Sequence, residues 1–116
     1  MATPVTIDPD VQAIAEQFSN APAFVHFVQA IVDAEGPGDA IVRAVQCSDG
    51  SVTTRQKAIE VVCRSAVHRA FDYLLNTHPN EFVLYMGSYW APVGVANDPT
   101  HLNANWSTNV AKLWTV

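Results

Sequence analysis

Two parts of this chain carry side chains that could do chemistry: the pair Glu35-Gly36, and a stretch over 89–110 rich in Trp, Asn and Pro. Phe24, Val28, Ile31 and Glu35 are spaced to share one helical face. His26, Gln29 and Asp33 read as a separate, solvated stripe. A carboxylate that closes an apolar stripe is unusual. Partial burial and the negative end of the helix dipole both disfavour its charged form. That is the condition of a general acid able to protonate a glycosidic oxygen. Gly36, without a Cβ, leaves room for a substrate or a backbone to approach. The alternative reading ends the helix at Ala34 and points Glu35 at water.

Of the aromatic residues, Tyr85, Tyr89, Trp90 and Trp106 have faces that could stack on sugar rings, or they could pack as core. Trp90, at a helix exit beside Pro92, is the better platform. Asn97, Asn103 and Asn105 could hydrogen-bond acetamido groups, or cap helices. Asp39 and Asp49 follow Glu35 in loops and are the candidates for a second carboxylate. Their simpler reading is a helix cap and a turn residue. The four His and two Cys show no metal-ligand spacing, so no metal and no cofactor is expected. Cys63 and His68 fall on different helix faces, against a Cys–His nucleophile. Cys47 and Cys63 read as buried or half-buried thiols.

The elements that must position these groups are helical. Asp8-Pro9 is an N-cap followed by a proline at the first helical position. Val11, Ile14, Ala15 and Phe18 continue it at helical spacing. Pro22 opens a second helix reaching about residue 34, which Gly36-Pro37-Gly38 stops. Asp39 precedes a short helix over 40–45, and 46–52 reads as a turn or loop. Thr53 or Thr54 caps the longest helix, running to about residue 76. Its buried face is Ile59, Val62, Cys63, Ala66, Ala70, Phe71 and Leu74. Lys57, Glu60, Arg64, His68 and Asp72 form its polar stripe, with Glu60 and Arg64 ordered for an ion pair. This helix is expected at the centre of the core. Another helix spans about 79–90. Asp98-Pro99 then starts a last one, with Leu102, Trp106, Val110 and Leu113 on its inner face. The expectation is an all-α single domain of roughly five or six helices, with 1–7 as an N-terminal arm.

Composition narrows the function classes. The chain has 116 residues and 49% hydrophobic content, enough for one core without staples. A net charge of −5, with six Lys and Arg, argues against nucleic-acid binding. The same acidity gives no steering toward an anionic cell wall. No apolar run has the length of a membrane span, and the start lacks the basic and apolar regions of a signal peptide. As encoded, the chain reads as cytoplasmic, with periplasmic or virion-associated action requiring another delivery route.

On two blocks the chain resembles the lysozyme-like superfamily of goose-type lysozymes and lytic transglycosylases. Ala30-Ile31-Val32-Asp33-Ala34-Glu35-Gly36 is similar to the catalytic helix that ends in Glu followed by Ser or Gly. Tyr89-Trp90-Ala91-Pro92, then Asn97-Asp98-Pro99, Leu102-Asn103, Trp106 and Asn109-Val110 resemble the C-terminal part of small phage and prophage lysozyme-like proteins. The blocks stand in the family's order within 22–114. The resemblance implies a lysozyme-like fold and cleavage of peptidoglycan or another N-acetylated glycan. It makes Glu35 the general acid, with Tyr89, Trp90, Asn97 and Asn103 as substrate-binding residues. One departure is plain: the Asn-rich segment many relatives carry after the Glu is replaced by Gly36-Pro37-Gly38-Asp39-Ala40-Ile41-Val42-Arg43. The alternative implied by that departure is a non-catalytic phage or prophage structural or interaction module on the same fold.

Overall fold

Pro22 begins, and Gly36 ends, the helix around which the others gather. The computed structural model describes residues 6–46, 49–75, 82, 83, 86, 90 and 104–114, with backbone alone at 71–75, 104 and 107. Five helices are delimited among the described residues: α1 Pro9–Ala15, α2 Pro22–Glu35, α3 Ala40–Gln46, α4 Arg55–Leu75 and α5 Ala104–Leu113. Residues 82, 83, 86 and 90 are also helical, and no described residue is in a strand. The fold class is all-α. The radius of gyration is 13.7 Å, close to the roughly 13 Å of a folded chain this long.

Among the described helices the central one is α2 and not α4. It packs against α1, α3, α4 and α5, whereas α4 meets α1, α2 and α3. The cause is local. From Val25 to Val32 only His26 is left partly accessible, so α2 is apolar nearly all round, as a helix enclosed by others must be. In α4, Ala58, Ile59, Val62, Cys63 and Ala66 are buried, while Lys57, Arg64 and His68 are exposed. Such a helix closes one wall. The predicted Glu60–Arg64 pair does not form. Lys57 Nζ instead lies 3.2 Å from Glu60 Oε2, an ion pair without hydrogen-bond alignment.

Helix starts follow the expected punctuation, with one reassignment. Pro9 and Pro22 stand in the first turns of α1 and α2, where a missing N–H costs nothing. Thr54 Oγ1 accepts from Lys57 N at 3.2 Å and caps α4. Asp8 holds the N-cap position of α1, and its carbonyl accepts from Gln12 N at 2.9 Å. Its side chain does not cap the helix. It is taken by Arg55 and Gln29 instead.

Gln29 is the largest departure from the sequence reading. It was expected on a solvated stripe and is 1% exposed. Its Oε1 accepts from Asp8 N at 2.9 Å, and its Nε2 donates to Asp8 Oδ2 at 3.1 Å and Asp33 Oδ1 at 2.9 Å. A buried amide is tolerated when its donors and acceptor are matched, and here they are. The N-terminal segment has been drawn across α2 to do this. Ile7, within the expected arm, packs partly buried against the core.

α5 lies on α2. Trp106 and Val110 are buried, as expected, but Leu113 is 38% exposed. Its place is taken by Trp114. The Trp114 ring sits 4.6 Å from Phe27 centroid to centroid, and its Nε1 donates to the Ala23 carbonyl at 3.0 Å. Phe82 also packs against Phe27, with ring centroids 5.4 Å apart. Tilted aromatic contacts at these separations add to the burial of each ring.

Candidate active site

Glu35 is the last residue of α2, so the helix does not end at Ala34. Gly36 N donates to Val32 O at 3.2 Å and closes the final turn. Gly36 itself has φ 119 and ψ 177, a backbone region essentially confined to glycine. A Cβ there would also stand 3.3 Å from the Ala40 Cβ. Gly36 is therefore required by the chain's turn from α2 into α3. Of the two approaches its missing Cβ allows, substrate or the chain itself, the chain's own Ala40 is the neighbour there.

The Glu35 side chain is half-buried and does not point into open water. Its Oε1 accepts from Trp106 Nε1 at 3.2 Å and from Trp90 Nε1 at 3.4 Å. The Trp106 bond is within the ordinary N–H···O range and the Trp90 bond is longer and weaker. Indole N–H is a donor only, so both contacts have one possible direction. Trp106 is 8% exposed and Trp90 is half-buried. One carboxylate oxygen is thus flanked by two aromatic rings from chain positions 55 and 71 residues away.

The two sequence blocks singled out for their chemistry meet at this point. Trp90 was expected as a platform, and its indole edge faces the acid. Trp106 was open to a stacking or a core role, and it is both buried and bonded to Glu35. No sequence pattern marked that second role, because spacing locates a face and not the atom a ring edge meets. Tyr89, Asn97 and Asn103 lie outside the described residues, as do Tyr85 and Cys47, while Asn105 is exposed at the start of α5.

Neither candidate second carboxylate departs from its simpler reading. Asp49 Oδ1 accepts from Ser51 N at 3.0 Å and from Ser51 Oγ at 2.5 Å, a turn contact that holds its carboxyl below the usual range. Asp39 is exposed, and its carbonyl accepts from Val42 N at 3.0 Å as α3 begins.

Beyond Gly36, the loop is held from below. Arg55, first residue of α4, donates Nη1 to the Gly38 carbonyl at 2.6 Å. It also donates Nη2 to Asp8 Oδ2 at 2.7 Å and Nε to Asp10 Oδ2 at 2.7 Å. Hydrogen bonding from Arg55 holds the Asp10 carboxyl below its ordinary value and pushes the guanidinium up. Through Gln29 and Asp33 the same network reaches the last turns of α2. An apolar cavity of about 100 Å³ between Phe24, Phe27, Phe82 and Trp114 is separate, since none of Glu35, Trp90 and Trp106 lines it.

No helix among the described residues is long and apolar enough to cross a membrane. Comparison of the chain with protein-family models, curated proteins and solved structures finds no match.

Proposed function

We propose that this protein cleaves glycosidic bonds in peptidoglycan or another N-acetylated glycan, with Glu35 as the general acid. The observation that carries the reading is the half-buried Glu35 carboxylate at a helix end, bonded through one oxygen to two indoles. No described residue is hydrogen-bonded to Oε2, and the transferred proton is assigned to that oxygen. That proton passes to the glycosidic oxygen as the bond from that oxygen to the anomeric carbon breaks, and positive charge develops on the sugar. Glu35, now a carboxylate beside the cationic sugar, accepts the proton of the attacking oxygen. The attacker is either water, giving hydrolysis, or the sugar's own 6-hydroxyl, giving a 1,6-anhydro ring. The half-buried Trp90 ring supplies an apolar surface of the kind that packs against a pyranose.

The test is digestion of purified cell-wall sacculi, with released fragments read by mass spectrometry. Wild type is expected to release disaccharide-containing fragments, and Glu35→Gln to lose at least about 100-fold in rate. Glutamine keeps the acceptor for both indoles, so its thermal midpoint should stay near that of wild type. Equal release by the two proteins would remove Glu35 from the chemistry.

One observation favours the second reading, a non-catalytic helical module. Two donors on one oxygen also make Glu35 a tie between α2, α5 and the helical residue Trp90. In that case neither protein releases fragments, and Glu35 matters to stability alone.

A further inference from the structure

Resting on the reading of Glu35 as an acid, we infer that Trp106 is its positioning residue, holding Oε1 so that Oε2 alone carries the transferred proton. Trp106 Nε1 lies 3.2 Å from Oε1, and Trp90 Nε1 lies 3.4 Å from the same oxygen. Indole N–H cannot accept a hydrogen bond. A proton on Oε1 would compete with two donors for that oxygen's lone pairs and weaken both bonds. The arrangement therefore sorts the two oxygens, which in a free carboxyl are equivalent. It also fixes the plane of the carboxyl, since Trp106 is 8% exposed and held by the packing of α5 on α2. Proton transfer is sensitive to such placement, and a displacement near 1 Å costs on the order of 100-fold.

Packing and positioning are separable by an isostere. Replacing Trp106 with 3-benzothienylalanine keeps the bicyclic ring and removes the N–H. The readouts are kcat and KM on a soluble glycan fragment, together with the indole ¹H–¹⁵N resonances. Positioning predicts that the isostere lowers kcat about 10- to 100-fold while KM holds. In the spectrum, Glu35→Ala should move the Trp90 and Trp106 signals and leave that of Trp114, which is bonded to Ala23. Trp106→Phe should follow the isostere, and where it unfolds the isostere decides. An isostere with wild-type kcat overturns the inference and leaves the acid reading intact. A Trp106 signal indifferent to Glu35→Ala overturns it as well. A fully active Glu35→Gln, or a wild type that cleaves no glycan, overturns the acid reading, and the positioning role falls with it.

Discussion

Arg55 meets Asp10 side-on, with Nε 2.7 Å from Oδ2 and Nη2 3.4 Å from Oδ1. The same guanidinium reaches Asp8 and the Gly38 carbonyl. A planar fork with five donors can serve these partners together, whereas an ammonium cannot. Arg55→Lys should therefore recover little of what Arg55→Met loses. The expected loss for Arg55→Met is about 1–3 kcal/mol, because the group is only partly solvated. Urea denaturation of both variants measures it, and full stability in Arg55→Lys would contradict the geometric account.

The same tie has a pH signature. Asp10 is held below the ordinary aspartate value of 3.8 in the folded chain, first by its hydrogen bond from Arg55. A lowered folded value means that the contribution is complete above pH 3.8 and is lost as pH falls through the lower folded value. Asp10→Asn should flatten this part of the acid unfolding curve while losing stability at neutral pH. Denaturation midpoints taken between pH 2 and 6 check it.

Gln29→Leu removes an amide that makes three bonds inside the fold. Asp8 N loses its acceptor, and leucine offers nothing in return. A cost of about 2–3 kcal/mol is expected, set by stranded partners rather than by lost volume. A neutral result would show that water reaches the Asp8 amide.

Cys63 is a buried free thiol whose pKa is pushed up to about 12, by burial first and by the Glu60 carboxylate second. It should resist iodoacetamide at pH 8 in the folded protein and react on denaturation, read by peptide mass spectrometry. The raised value also makes folding favour the neutral thiol. That stability is full below the ordinary thiol value of 9.0 and is lost as pH rises toward 12.

Gly36→Ala tests the end of α2. The backbone sits at φ 119, and the new methyl would meet Ala40 at 3.3 Å. A loss of about 1–3 kcal/mol is expected, with the proposed glycosidase activity falling further than stability, because Glu35 is adjacent. Thermal midpoints and fragment release, measured on one preparation, separate the two effects.

What the sequence disclosed follows what periodicity can encode. Pro9, Pro22, Thr54 and Gly36 bracket their helices because each acts on its own turn. Glu35 stood out because it closes an apolar stripe. Gln29 was misread for the same reason: an amide among polar neighbours on a wheel looks solvated. Only the path of the N-terminal segment shows that Asp8 covers it. That α2 meets more of the described helices than the longer α4 does is a matter of tertiary packing, which a wheel cannot count. The meeting of Trp106 with Glu35 spans 71 positions, and no local pattern encodes it.

The Trp114 indole bond to Ala23 joins positions 91 residues apart. Together with Trp106, it puts the last helix in charge of the second. During synthesis at about 5–20 residues per second, α2 waits several seconds for α5 to emerge. Through that interval the part of α2 that meets α5 is uncovered and Glu35 lacks its Trp106 donor. Formation of the full set of Glu35 contacts is thereby tied to synthesis of α5.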